Sequence, residues 1–144
     1  MDNPVLVLVV SSEFKNRHGL RDLLNREGCN AICASTVGEC EELLTRQNIG
    51  LVFCDRGLTD GTYRDVLAIT RSLGRNVRLV VTSRLADWKE YLEALEDGAF
   101  DLIASPSQAS DTVRVIRQAQ REDQMTGTPV AAVKARSASA GGPA

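Results

Sequence analysis

The segment IGLVFCDRGLTDG, residues 49–61, decides the fold. Its first six residues carry no charge and show no alternation of polar and apolar side chains, which is typical of a strand covered on both faces in a parallel sheet. The strand ends at Asp55, and a turn follows from Gly57 to Gly61. Because parallel α/β sheets bind ligands at the carboxyl ends of their strands, Asp55 is a candidate functional residue. A turn or helix-capping role for this aspartate stays open at this point.

The rest of the chain alternates between strand and helix patterns that are joined by short connections. Local signals support the boundaries: Ser12 is a predicted N-cap, Gly28 is a predicted helix stop, and TVGE at residues 36–39 matches a capping box. Strands are predicted at residues 4–10, 30–35, 49–55, 77–81 and 99–104, and helices at 13–26, 36–47, 63–73, 86–96 and 108–121. Right-handed crossovers between parallel strands then place helices on both faces of one sheet.

Composition limits the classes of function that the chain can have. Its 144 residues include 43% hydrophobic and 25% charged side chains, as in a soluble single-domain protein. A net charge of -2 gives no electrostatic basis for direct nucleic-acid binding, and no apolar segment is long enough to cross a bilayer. We therefore predict a cytoplasmic protein that binds neither nucleic acid nor membrane.

Cysteine usage and the end of the chain allow two further predictions. Four cysteines at irregular spacings, with a single histidine, match no zinc motif, so Cys33 and Cys54 are interpreted as reduced strand residues.

Residues 1–122 form the predicted domain. Residues 123–144 are rich in alanine, serine, glycine and proline and are predicted to be a flexible tail.

Serine and threonine residues, with one glutamate and one proline, follow the other predicted strands, at the edge of the sheet where Asp55 stands. These residues are Ser11, Ser12, Glu13, Thr82, Ser83, Ser105 and Pro106. Together with LVFCDRGLTDGT (51–62) and YLEALEDGAFDLIASP (91–106), this order resembles the receiver domain of bacterial two-component response regulators. The resemblance implies a flavodoxin-like (CheY-like) doubly wound α/β fold with helices on both faces. It also implies five parallel strands in the order 2-1-3-4-5 and Asp55 at the phosphoacceptor position.

The sequence departs from the family's pattern at the positions that support phosphorylation. The acidic pair that holds Mg²⁺ in the family is replaced by Ser11 and Ser12, and the lysine that pairs with the phosphoryl group is replaced by Ser105. Because Mg²⁺ is usually held through carboxylates, we expect no resident metal or cofactor. Mg²⁺ is expected only if Asp55 is a working phosphoacceptor. Thr82 does match the hydroxyl residue of the family.

Four other positions bear on the charge of the pocket and on its readout. Glu13 falls in the first turn of a predicted helix, where the helix dipole favours an acid whatever its function. Arg56 and Arg84 adjoin pocket residues and are candidate substitutes for the missing positive charge, or else solvated loop arginines. Leu102 stands at the position of the family's switch aromatic.

These departures predict a degenerate receiver, a protein-interaction module that works without phosphorylation and is not an enzyme. Its expected docking face comprises the fourth helix, the fifth strand and the fifth helix, with Trp88, Tyr91 and Leu102 as interface candidates. The expected partner is a histidine kinase, an output domain or a second copy of the chain.

Two other functions remain as alternatives at the level of sequence. The first is a working phosphorelay receiver that a histidine kinase phosphorylates on Asp55. The second is a hydrolase that uses Ser12 or Ser105 with His18 and Asp55, which is disfavoured because the chain has no GxSxG elbow.

Overall fold

The computed structural model describes residues 6–126, which form one parallel sheet between two layers of helices. The strands are β1 (Leu6–Val10), β2 (Ala31–Ala34), β3 (Ile49–Asp55), β4 (Gly57–Leu58), β5 (Gly61–Thr62), β6 (Arg78–Ser83) and β7 (Asp101–Ala104). The helices are α1 (Phe14–Arg26), α2 (Val37–Arg46), α3 (Tyr63–Ser72), α4 (Trp88–Asp97) and α5 (Ala109–Thr126). The main sheet has the order β2-β1-β3-β6-β7, and β4 and β5 form a separate two-residue hairpin. The predicted fold and strand order are confirmed.

Both faces of the sheet are buried because successive residues of its central strands point into two separate cores. Val52 and Cys54 of β3 face the core that α2, α3 and α4 cover. Leu51 and Phe53 face the other core, which α1 and α5 cover. The absence of polar alternation in β3 follows from this double burial. The four cysteines are free, and Cys54 is buried as predicted.

The predicted starts of the first two helices are only partly correct. Glu13, rather than Ser12, is the N-cap of α1, and its side chain makes no capping hydrogen bond. Ser12 instead joins two other loops, because its hydroxyl donates to the carbonyl of Ser35 (3.1 Å) and accepts from the amide of Thr59 (3.1 Å). At α2 the Thr36 hydroxyl accepts from the amide of Glu39 (3.0 Å), as a capping box requires. The Glu39 carboxylate, however, accepts from the amide of Ser35 (2.7 Å), so the box is not reciprocal.

The end of the domain also differs from the prediction. Helix α5 continues to Thr126, so residues 123–126 are helical and do not belong to the predicted tail. The last turns of the helix are anchored by ion pairs that the local sequence does not reveal: Arg78, at the start of β6, pairs with Asp123 at 2.8 Å and with Glu122 at 3.4 Å. The rest of the predicted tail, residues 127–144, and Pro4 at the start of the first strand lie outside the described residues. Within residues 6–126, no helix is long and apolar enough to cross a membrane.

Candidate functional site

Asp55 lies at the carboxyl end of β3, where the neighbouring strands bring two hydroxyl groups to its side chain. Ser11 follows β1 directly, and Thr82 is paired with Asp55 in the register of β3 and β6. The Ser11 hydroxyl donates to Asp55 Oδ2 at 2.5 Å, and the Thr82 hydroxyl donates to Asp55 Oδ1 at 2.6 Å. Each carboxylate oxygen therefore has a hydroxyl donor from the protein itself.

Burial dominates the electrostatics of this carboxyl group. It raises the pKa of Asp55 above its ordinary value, and the hydroxyl bonds from Ser11 and Thr82 oppose that rise. Charged neighbours contribute less: the Glu13 carboxylate raises the pKa of Asp55, and the Arg84 guanidinium lowers it. Asp55 is thus held partly desolvated, and its main compensation comes from neutral hydroxyls.

Two cavities meet at Asp55 and together contain all the predicted pocket residues. The larger, of about 520 Å³, is lined by Ser12, Glu13, Thr82, Ser83 and Ser105 among others. The smaller, of about 250 Å³, runs beside α1 and includes Ser11, Ser105 and Pro106 in its lining. The structure therefore places the predicted residues at one site, although they lie on two sides of Asp55.

The two candidate charge substitutes are both engaged in ion pairs, and Arg84 is the one whose charge lowers the pKa of Asp55. Arg56 turns towards α4, where its guanidinium pairs with Glu90 and Glu93 at 3.4 Å each. The Arg56 guanidinium therefore faces the glutamates of α4 in this structure, and its role as a replacement for the missing cation stays a prediction. Arg84 reaches across the larger cavity and pairs with the Glu13 carboxylate. Glu13 is consequently a pocket residue with a side-chain partner, besides being the N-cap of α1.

The oxygen ligands available around Asp55 are a poor match for a hard divalent cation. Mg²⁺ requires oxygen ligands in near-octahedral geometry and is normally held by one or two carboxylates. Here both Asp55 oxygens accept hydroxyl bonds, and the carboxylate of Glu13 is bound by Arg84 and by the Asn16 amide at 2.5 Å. Among residues 6–126, no group of three or more His, Cys, Asp or Glu side chains has a geometry that could hold a metal ion.

The interface candidates differ in how far their side chains are exposed in the folded domain. Trp88 is 70% exposed and stacks on Tyr91, with ring centroids 5.3 Å apart. Leu92 and Leu95 are exposed on the same helix, and these four side chains are called the α4 stripe below. Leu102 is wrongly predicted as an interface residue, because it is only 7% exposed and packs in the core under α4.

Sequence reasoning missed Glu90, which connects the site to α4. Its carboxylate accepts from the Ser83 hydroxyl (2.5 Å) and from the amide of Ala86 (3.0 Å), and it also pairs with Arg56. The only signal in the sequence is an acid in the first turn of a predicted helix, which is too common to single it out. His18 packs against the ring of Phe14 at 4.1 Å between centroids.

Comparison with known proteins identifies the family. The model of the response regulator receiver domain matches residues 7–117, and the chain belongs to this family. The alginate biosynthesis transcriptional regulatory protein AlgB of Pseudomonas aeruginosa is 29% identical over 116 residues, which are 81% of this chain and 26% of that protein. The hydrogenase transcriptional regulatory protein HoxA of Cupriavidus necator is 25% identical over 127 residues, which are 88% of this chain and 26% of that protein.

Solved structures agree on the fold. A receiver domain from Clostridium thermocellum superposes with a TM-score of 0.75 at 19% identity, covering 85% of this chain and 98% of that one. A receiver protein from Pseudomonas putida gives a TM-score of 0.71 at 24% identity, covering 82% and 99%. The chain spans about a quarter of the length of the two curated relatives.

Proposed function

We propose that this receiver domain is a protein-interaction module that works without phosphorylation of Asp55. The observation that carries the proposal is the pair of hydroxyl bonds, from Ser11 and Thr82, that engages both oxygens of the carboxylate. A carboxylate oxygen attacks phosphorus with a lone pair, and a hydroxyl bond occupies one lone pair and withdraws negative charge from the oxygen that accepts it. Both oxygens of Asp55 are therefore weakened as nucleophiles.

The charge balance of the pocket supports the same proposal. Phosphoryl transfer depends on positioning and on neutralising the negative charge of the transferred group, usually by metal ions and cations. A phosphoryl group on Asp55 would carry about -1.5 to -2 charge into a pocket that already holds Glu13. Arg84 is the cation that acts on Asp55, and it is already paired with Glu13.

The α4 stripe is the docking face that we propose for the module. Monomeric proteins seldom leave a tryptophan and two leucines exposed on one helix, and aromatic residues are enriched at interface anchors. Tyr91 is half-buried against the core and supports the Trp88 ring. The acidic side chains of Glu93, which pairs with Arg56, and of the exposed Glu96 adjoin the stripe on α4. A suitable partner is therefore a surface that combines apolar and basic side chains.

Helix α5 of a second copy of the chain has this chemistry. Its outer face carries a groove of about 530 Å³ that is lined by Val113, Arg114, Arg117 and Arg121 among others. Within residues 6–126, Arg117 and Arg121 have no ion-pair partner. A two-fold arrangement in which α4 of each copy packs on α5 of the other would place acidic residues against basic ones twice.

The first experiment tests the claim about phosphorylation. The purified domain is incubated with acetyl phosphate and Mg²⁺ and its intact mass is measured, beside Asp55→Asn and beside a rebuilt site with Ser11→Asp, Ser12→Asp and Ser105→Lys. We expect no adduct on the wild-type chain and an adduct of one phosphoryl group on the rebuilt chain. An adduct on the wild type that is absent from Asp55→Asn would overturn the proposal and favour the alternative, a receiver phosphorylated by a histidine kinase.

The second experiment tests the docking face. Sedimentation equilibrium compares the wild type with Trp88→Ala and with Phe14→Ala, a matched control because Phe14 is 66% exposed on α1. We expect concentration-dependent dimers that weaken by about tenfold or more in Trp88→Ala, as for a central aromatic anchor. The Phe14→Ala variant should match the wild type. A monomer at all concentrations would reject the second copy as partner and leave a kinase or an output domain as the binding partner to be assayed.

A further inference from the structure

Glu90 makes contacts that go beyond those of an ordinary helix cap. The helix itself is already capped by Asp87, whose carboxylate accepts from the amide of Glu90 at 2.9 Å. A first-turn acid normally reaches back only to the amide of the cap residue. The Glu90 side chain, 12% exposed, instead contacts the Ser83 hydroxyl, the Ala86 amide and the Arg56 guanidinium.

The partners of Glu90 are the immediate neighbours of the two residues that hold the functional site together. Arg56 follows Asp55, and Ser83 follows Thr82. The two strand ends are also joined directly, because the amide of Arg56 donates to the carbonyl of Thr82 at 2.9 Å. One side chain on α4 therefore contacts residues at the carboxyl ends of both β3 and β6, next to Asp55 and Thr82.

The loop between β6 and α4 is held in a conformation that needs such support. Ala86 has φ of +47°, in the left-handed region that residues other than glycine rarely occupy. Its amide is fixed by Glu90 at 3.0 Å and by the Ser83 hydroxyl at 3.4 Å. Backbone conformations of this kind persist when the surrounding contacts determine them, and here the Glu90 carboxylate provides the shortest of those contacts.

We propose that Glu90 is the positioning residue that locks α4, and with it the α4 stripe, to the Asp55 end of the sheet. This inference rests on the proposed function, because it gives the docking face a fixed geometry without a phosphoryl group. Charge-assisted hydrogen bonds in a largely buried setting are the strong ones. A carboxylate with three such partners ties the helix to β3 and β6 at once, so changes at Asp55 do not alter the position of the stripe.

Hydrogen exchange measured by mass spectrometry tests the lock in the full chain. Glu90→Ala is compared with Glu96→Ala, a matched control because Glu96 is exposed on the same helix. We expect amides in residues 83–92 to exchange about tenfold faster or more in Glu90→Ala, as the loss of charged hydrogen bonds implies, and within about twofold of wild type in Glu96→Ala. Equal exchange in the two variants would overturn the proposal.

A double-mutant comparison separates locking from simple stabilisation. In the wild-type background, Asp55→Asn should leave exchange in residues 83–92 unchanged, whereas in the Glu90→Ala background it should change that exchange by about threefold or more. Additive effects of the two substitutions would show that Glu90 only stabilises the helix and would refute the lock. If Glu90→Ala fails to fold, Ser83→Ala removes one of the three contacts and should show the same coupling in weaker form.

The outcome separates this inference from the proposed function. A phosphoryl adduct on wild-type Asp55 would overturn the proposed function, while the exchange data would still report on Glu90. Unchanged exchange in Glu90→Ala would overturn the lock even in a domain that acetyl phosphate does not modify.

Discussion

Replacement of Thr82 by valine tests the physical basis of the Asp55 site most directly. Thr82 is buried, and valine keeps its shape while removing the hydroxyl that donates to Asp55 Oδ1 at 2.6 Å. A hydrogen bond to a charged group contributes about 1.5–3 kcal/mol, and the carboxylate would stay desolvated after its loss. We therefore expect Thr82→Val to lower the free energy of unfolding by about 1.5–3 kcal/mol at neutral pH. For a domain of this size, each kcal/mol lost should lower Tm by about 3–6 °C.

The pH dependence of this loss has a definite sign. The hydroxyl bond stabilises the ionised carboxylate and so lowers the pKa of Asp55 against the rise caused by burial. Its contribution is therefore present where Asp55 is ionised and disappears as the pH falls through the pKa of the folded state. In acid, where Asp55 is protonated, the difference in unfolding free energy between Thr82→Val and wild type should therefore shrink. It should approach the smaller contribution of a hydrogen bond between two uncharged groups.

Urea unfolding, followed by far-ultraviolet circular dichroism at several pH values, measures the effect. Thr45→Val is the matched control, because the exposed Thr45 hydroxyl bonds only to the carbonyl of Glu41 within its helix, at 2.8 Å. Thr82→Val should cost clearly less in an Asp55→Asn background, where the charge is absent. A cost no larger than that of Thr45→Val, or equal costs with and without the Asp55 charge, would refute the reasoning.

Three further predictions concern the surroundings of the site. Gly98→Ala should destabilise the domain by about 1–2 kcal/mol in urea unfolding, because Gly98 has φ of +106°, a backbone conformation that strains an alanine, and an added Cβ would also displace the guanidinium of Arg71. Ala86→Gly should raise the free energy of unfolding by up to about 1 kcal/mol, because glycine accepts a positive φ, and a loss would contradict the strain assigned to the loop. Burial, helped by a hydrogen bond to Asp97, raises the pKa of Tyr63 to about 12, so ultraviolet absorbance should show one tyrosine that titrates there. Because the unfolded chain loses this proton at a lower pH, the free energy of unfolding should fall as the pH rises above the ordinary tyrosine range.

Much of the fold was predictable because its signals are local. The apolar runs of β1, β3 and β6, the glycine stops after the helices and the short connections all depend on residues close in sequence, and they were sufficient for the α/β class. The strand order came from the resemblance to the receiver family. The errors fell where a distant residue competes for a local group. The Ser12 hydroxyl bonds to Ser35 and Thr59 instead of capping α1. Arg78 pairs with Asp123 in α5, beyond the predicted end of that helix.

The site was predictable in its members but not in their connections. Parallel strands bring their carboxyl ends to one edge, so Ser11, Thr82 and Ser105 had to lie near Asp55. Which of them donates to the carboxylate depends on rotamers that only packing selects. The direction of the Arg56 side chain could not be predicted for the same reason, because its guanidinium pairs with glutamates on α4 that the sequence pattern does not connect with β3.

The sequence by itself determined the alternation of strands and helices, the double burial of the sheet and the position of Asp55 at its edge, since hydrophobic periodicity and strand polarity suffice for these. Only the tertiary structure decided that Ser11 reaches Asp55 across 44 positions and that Arg84 reaches Glu13 across 71. It also decided that Leu102 is buried while Trp88 is exposed. The physical reason is that hydrogen bonds and ion pairs form between side chains that loop geometry brings within about 3 Å, and no local pattern encodes that distance.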